Sequence, residues 1–259
     1  MVQPLVSPGF SSDYDGPGAP REFIYLESSN AAARPPPRFL DGLSETERRV
    51  VAAEGTRMRL RRGELLFRQG TPHAGIYLIR KGRIRTFFVS PAGREITLAY
   101  WVPHHFVGGP EIFGGGTHLW SGMAVNDAEV LFLRAAQLPR LIRALPGFAV
   151  ALIEALVYKG RCFSSLIQML GTQTASARLA HVILSLSQIY GRPVSPSGGG
   201  TEMEITQKFT HEQLASMIGV TRQWVSTTLS KFRSDGILRM EGRRIVVLDH
   251  RLLTARSSN

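Results

Sequence analysis

Residues 210–233 read Thr-His-Glu-Gln-Leu-Ala-Ser-Met-Ile-Gly-Val-Thr-Arg-Gln-Trp-Val-Ser-Thr-Thr-Leu-Ser-Lys-Phe-Arg. Thr210 is placed to cap a helix, and Gln213 three residues on completes a capping box. Leu214, Met217 and Ile218 fall on one helical face, and Ala215 is small where two crossing helices approach. Gly219 suits the left-handed conformation that ends a helix. Thr221 then caps a second helix with Val225 and Leu229 turned inward. A small residue, a glycine four later and an aliphatic six after that is the spacing of a helix-turn-helix. An αα-hairpin with no nucleic-acid role would meet some of the same demands.

Beyond this stretch, Asp235-Gly236 precedes Ile237-Leu238-Arg239-Met240, and Glu241-Gly242 precedes Arg243-Arg244-Ile245-Val246-Val247-Leu248. Two short strands about a Glu-Gly turn form a hairpin, or wing. In such a fold the start of the second helix enters the major groove. Arg222, Gln223, Ser226 and Thr227 then face base edges, since arginine pairs with guanine and glutamine with adenine. Trp224 packs on the wing or meets a thymine methyl. Lys231 and Arg233 sit nearer the backbone. Arg243 and Arg244 either reach phosphates or remain solvated. The candidate DNA-contacting set is Thr210, Thr221, Arg222, Gln223, Ser226, Thr227, Lys231, Arg243 and Arg244.

Upstream, Leu145, Ala149, Leu152, Leu156, Lys159, Phe163, Leu166 and Leu170 follow one another at alternating intervals of four and three. Such a 3.5-residue period fits a helix paired along its length. No second segment mirrors it, so a second copy of the chain is the expected partner. Leu152, Leu156, Phe163, Leu166 and Leu170 are the candidate dimerisation residues; the competing reading is a helix packed on its own chain. A further helix is expected from about Thr174 to Tyr190, with Leu179, Val182, Ile183, Leu186 and Ile189 on one face. The loop at 193–200 is a candidate hinge.

Residues 60–134 carry short aliphatic and aromatic runs punctuated by Gly63, Gly70, Gly75, Gly82 and Gly93. Strands about every ten residues with glycine turns predict a compact roll. Residues 1–37 show no period and end in three prolines, which predicts a disordered tail. The expected organisation is a tail over 1–38, an antiparallel β-roll of jelly-roll type over 39–144, a dimerisation helix over 145–171 and a winged helix-turn-helix domain over 172–259, an α+β chain.

The 259 residues carry a formal charge of +11. A basic balance favours polyanions, either nucleic acid or an acidic membrane surface. Residues 201–259 hold nine Lys/Arg against six Asp/Glu. A denser run lies at Arg57, Arg59, Arg61, Arg62, Arg68, Arg80, Lys81, Arg83 and Arg85, either a solvated face or a flank for bent DNA. No apolar run of about 18 residues predicts a membrane span, and no secretory signal is evident. The one cysteine, Cys162, can form no internal disulfide and no iron–sulfur ligand set. A cytoplasmic setting is expected, with no metal. No Ser/His/Asp arrangement, metal spacing or phosphate loop points to an enzyme. A channel-type nucleotide sensor would share a roll but not the winged domain.

The chain resembles the CRP/FNR family of bacterial transcription regulators. The resemblance spans roughly residues 39–250. It rests on Arg62-Gly63-Glu64-Leu65-Leu66-Phe67-Arg68-Gln69-Gly70, on Ile76-Tyr77-Leu78-Ile79-Arg80-Lys81-Gly82, on the long helix and on the winged helix-turn-helix. It implies a cyclic-nucleotide-binding-type effector roll and a homodimer on a palindromic site in double-stranded promoter DNA. It also implies ligand-modulated binding and contact with RNA polymerase. Three departures stand out. The residues matching the family's nucleotide site are Phe106-Val107-Gly108-Gly109-Pro110-Glu111-Ile112-Phe113 and His118-Leu119-Trp120-Ser121, and the phosphate-pairing arginine is missing. A buried phosphate without it is costly, so cyclic AMP is not expected. The cysteine cluster of the family's iron–sulfur oxygen sensors is absent. The recognition pattern Arg-Glu-x-x-x-Arg becomes Arg222-Gln223-x-x-x-Thr227, so a different operator is expected.

Trp101, His104, Phe106, His118, Trp120, Phe163 and Ser164 form the candidate effector pocket. An aromatic site suits a small apolar or aromatic effector, including a carboxylate held by an arginine. No cofactor is assigned. Haem on His73, His104, His105 or His118 is one alternative; a roll filled by its own rings, in a regulator that needs no ligand, is the other.

Overall fold

The computed structural model describes residues 38–194, 202–242 and 244–257. The expected tail over 1–37, most of the loop at 193–200 and Arg243 lie outside the described residues.

The chain enters through α1 (Glu45–Glu54). Its capping box is complete: the Ser44 N–H donates to Glu47 at 2.8 Å and the Glu47 N–H donates to the Ser44 hydroxyl at 3.3 Å. Eight strands follow: β1 (Thr56–Leu60), β2 (Leu65–Phe67), β3 (Gly75–Lys81), β4 (Ile84–Val89), β5 (Glu95–Trp101), β6 (Phe106–Val107), β7 (Ser121–Ala124) and β8 (Ala128–Arg134). They form two antiparallel four-stranded sheets, ordered β1-β8-β3-β6 and β2-β7-β4-β5.

Strand β3 is buried on both faces. Tyr77 and Ile79 join the core between the sheets, while Ile76 and Leu78 join the core beneath the helices. Gly75 adopts φ 153°, and a side chain there would collide with the Leu133 carbonyl. Only glycine lets β3 start this close to β8.

Helix α2 (Leu138–Ala144) leads into α3 (Pro146–Thr172), a 27-residue helix opened by its proline. Residues of α3 enter all three cores. Phe148, Ala151, Leu152 and Ala155 meet the roll's outer face, Tyr158 and Cys162 reach between its sheets, and Leu166 and Met169 join the winged domain.

This packing corrects the seam read from sequence. Leu152 and Leu166 are 3% and 5% exposed within their own chain. Phe163 lies against Trp120, with ring centroids 5.6 Å apart, and Leu170 packs on the winged-domain core. Of the five expected dimerisation residues, Leu156 alone is exposed. The uncovered ridge is a second series, Val150, Ile153, Val157, Gly160, Ser164, Ile167 and Gly171, also spaced by alternating threes and fours. Val150, Ile153, Val157 and Ile167 are each more than half exposed. A helix apolar around most of its circumference carries two such series, and only the roll's position decides which one the chain covers itself.

After α3 come α4 (Ala175–Tyr190), β9 (Gly191–Pro193), β10 (Met203–Ile205), α5 (His211–Ile218), α6 (Arg222–Ser234), β11 (Leu238–Glu241), β12 (Arg244–Val247) and α7 (His250–Ser257). The wing expected from sequence is β11 and β12. The structure extends it to a four-stranded sheet ordered β11-β12-β10-β9. Leu179, Val182, Ile183 and Leu186 of α4 are buried in the winged core, as their spacing predicted. No described helix is long and apolar enough to cross a membrane.

Candidate nucleic-acid interface

Helix α5 starts at Thr210, whose hydroxyl accepts the Gln213 N–H at 3.1 Å while its own N–H donates to Gln213 Oε1 at 2.8 Å. Gly219 ends the helix with φ 71° and ψ 37°, the left-handed conformation the sequence asked for. Thr221 then caps α6, accepting the Trp224 N–H at 3.2 Å. Val225, Leu229 and Phe232 bury the inner face of α6 against Leu214, Ala215, Met217 and Ile218. Two capped ends and one apolar face fix how α6 projects.

On its outer face Arg222, Gln223, Thr227 and Lys231 are exposed and Ser226 is half-buried. None of the charged members of this group forms an ion pair among the described residues. Trp224 is partly buried and packs on the winged core. Arg244 is exposed at the wing, with Glu204 at 3.5 Å.

Arg178 was not singled out by the sequence reading. Its guanidinium donates to the Gln173 carbonyl at 2.9 Å and the Ile218 carbonyl at 3.0 Å. It thus ties the end of α3 to the end of α5. The interior of the roll's winged-domain side is also pinned: the Thr97 and Ser216 hydroxyls meet at 2.9 Å, linking β5 to α5.

The expected effector residues fall in several different settings. Trp101 and Phe106 are buried inside the roll. His118 stacks on Phe67 at 4.3 Å and lies 4.8 Å from His73, whose Nε2 accepts the Gly109 N–H. His104 faces the N-terminal segment, 3.1 Å from Arg38 and 3.7 Å from Asp41, with a left-handed φ of 73°. Trp120 and Phe163 meet each other, and Ser164 is exposed on α3. Burial pushes the His118 imidazole down to about 4, and burial with the nearby Lys159 pushes His105 down to about 3. Among the described residues no three His, Cys, Asp or Glu side chains gather to hold a metal.

What sequence missed inside the roll is Lys159. Read as the one polar break in an apolar seam, it turns inward instead. Its ammonium lies 3.5 Å from the Trp101 ring centroid and 4.7 Å from that of Phe106. Desolvation lowers its pKa from the usual 10.5 to about 7, with Cys162 opposing. The signal was present: a lone lysine at a core-facing helical position, with aromatic strands upstream, calls for a cation–π contact.

A roll, a long helix and an exposed, capped reading helix beside a wing define a winged-helix transcription regulator. Two family models match the chain: a cyclic nucleotide-binding domain over residues 57–144 and a Crp-like helix-turn-helix domain over residues 177–256. The chain is 24% identical over 192 residues to the transcriptional activator protein anr of Pseudomonas aeruginosa, covering 73% of this chain and 75% of that one. It is 26% identical over 196 residues to a CRP-like cAMP-activated global transcriptional regulator of Mycobacterium tuberculosis, covering 76% and 85%. The fold matches a protein from Eubacterium rectale described as a regulator of the crp/fnr family, with a TM-score of 0.69 at 18% identity over 85% of this chain and 98% of that one. The chain belongs to the CRP/FNR family of DNA-binding transcription regulators, a family of regulators and not of enzymes.

Proposed function

We propose that this regulator acts as a homodimer that binds a palindromic operator in double-stranded promoter DNA, with RNA polymerase as its onward partner. The observation that carries this reading is the outer face of α6. Arg222, Gln223 and Thr227 are exposed at the start of a helix whose cap and inner face are rigidly held. Arg222 and Gln223 read base edges with Ser226 and Thr227. Lys231 and the wing residues Arg243 and Arg244 neutralise phosphates. Thr210 and Thr221 set the helix starts against the backbone. Dimerisation uses the ridge Val150, Ile153, Val157 and Ile167, with Leu156 at its margin, because an apolar stripe of this length stays covered in a stable protein. The polymerase contact rests on family membership alone.

The effector expected for the roll is not cyclic AMP, because the stretch His118-Leu119-Trp120-Ser121 carries no phosphate-pairing arginine. A small effector of another chemistry is the family expectation. A second reading, in which the roll needs no ligand, is favoured by the Lys159 ammonium seated against Trp101 and Phe106. Haem rests on lone histidines alone: His73 Nε2 already accepts the Gly109 N–H, and His104 lies beside Arg38 and Asp41, away from His105 against Tyr158 and His118 against Phe67.

The test is gel retardation on the regulator's own upstream regions across a range of salt. Specific retardation that persists where random duplex is released supports the reading. Equal retardation of both at every salt concentration defeats it.

A further inference from the structure

We propose that Glu204 is a positioning residue for the wing: its carboxylate stands in for a DNA phosphate on Arg244 and competes with the duplex backbone for that guanidinium. The inference rests on the reading of Arg244 as a phosphate contact. The strand register puts the charges concerned on one face. Arg239 on β11 lies opposite Val246 on β12, Val246 opposite Glu204 on β10, and Glu204 opposite Arg192 on β9. Directly opposed residues share a face, and so do residues two apart along a strand, which adds Glu202, Glu241 and Arg244. Ile245 and Val247 alternate with this row and enter the winged core, so the row looks outward.

The two wing arginines that carry ion pairs are not held alike. Arg239 is gripped from two sides, its Nε donating to Glu241 Oε1 at 2.9 Å and its Nη1 lying 3.5 Å from Glu202. Arg244 has Glu204 alone among the described residues, with Nη1 3.5 Å from Oε1 and 54% of its side chain exposed. Glu241, opposite Arg244 in the register, is turned to Arg239 instead. Releasing Arg239 breaks two contacts and releasing Arg244 breaks one. Arg244 is therefore the wing cation able to change partners.

A carboxylate and a phosphate offer a guanidinium the same paired oxygens, so the exchange needs no change of shape. An exposed pair is worth little in water, which lets a phosphate displace it. The cost comes afterwards. Glu204 is left uncompensated beside the backbone and takes up a counterion, cancelling the one that Arg244 releases. The wing contact is thereby held to a small share of the sequence-blind affinity. On α6, by contrast, Arg222 and Lys231 form no ion pair among the described residues, and nothing opposes their contact with DNA in this way.

A double-mutant cycle on the full chain tests this, read as affinity for a random duplex over a range of salt. Glu204→Gln is expected to tighten binding about threefold per wing at low salt and to steepen the slope of log affinity against log salt by about 0.9 per chain. Glu204→Thr, which suits a strand, is expected to give the same gain. Arg244→Gln is expected to weaken binding about threefold more in the Glu204→Gln background than in the native one. Glu202→Gln removes the same charge from the same face but leaves Arg239 on Glu241. Its gain is expected to be smaller, and equal with and without Arg244. Equal losses from Arg244→Gln in both backgrounds overturn the proposal and leave Arg244 on the phosphates. So does a gain from Glu202→Gln that matches that of Glu204→Gln and vanishes with Arg244. No loss in either background overturns it together with the wing contact. No operator is used, so the outcome is independent of base reading by α6.

Discussion

At the scale of single residues, α6 concentrates the specificity and Lys159 concentrates the electrostatic tension. Arg222 is exposed and makes no ion pair among the described residues, so removing it disturbs no packing. Arg222→Ala is expected to weaken operator binding by about 1–3 kcal/mol and to leave random-duplex binding nearly unchanged. Fluorescence anisotropy on both duplexes checks this, and equal losses on the two would contradict base reading. Lys159 makes a prediction in pH. Its pKa falls from 10.5 to about 7 on folding. Below about pH 7 the ammonium is charged in both states, and its burial destabilises the fold in full. As pH rises toward 10.5 the folded chain releases the proton while the unfolded chain keeps it, so stability from this site increases. Lys159→Met is therefore expected to be the more stable protein near pH 6.5, with the gap closing toward pH 10. Urea midpoints across that range check it; a gap that stays constant or widens with pH would show that desolvation is not the governing cost.

At the scale of elements, caps and glycines decide where the reading helix points. Thr221→Ala removes the acceptor for the Trp224 N–H and is expected to cost about 1 kcal/mol of stability, seen as a lower denaturant midpoint. The helix-turn-helix was legible from residues 210–233 alone, because its two threonine caps, its left-handed glycine and its inward aliphatics are local demands. The strands β3, β4, β5 and β8 were legible for the same reason. The short strands were not. Ser121–Ala124 and Phe106–Val107 have no alternation of their own and pair only because neighbours supply an edge. Nor was β1, where Arg57 and Arg59 obscure a strand that pairs with β8 over five residues. The effector residues were the least legible. Trp101, His104 and Trp120 lie close in sequence yet face different surroundings, and adjacency in a loop-rich roll says little about which side chains converge.

At the scale of the whole molecule, α3 joins the two halves of the chain and presents one bare apolar ridge. Two registers of that helix compete, and they separate by experiment. Ile153→Asp and Val157→Asp are expected to give a folded single chain with weak operator binding. Leu152→Ala, which hollows the protomer's own core, is expected to cost about 2–5 kcal/mol of stability while leaving association intact near neutral pH at low temperature. Sedimentation together with thermal unfolding separates the two outcomes; a monomer produced by Leu152→Ala at full stability would restore the register read from sequence. Arg178 then has the position to transmit changes in α3 to α5, since it grips the carbonyl ends of both.

The most direct measurement is hydroxyl-radical footprinting of the protein on operator fragments captured from its genome, with the stoichiometry of the complex read in parallel. Two α6 helices in successive major grooves predict two protected patches about 34 Å apart and two chains per duplex. A single patch occupied by one chain, with Ile153→Asp protecting the same DNA at the same concentration, would contradict it.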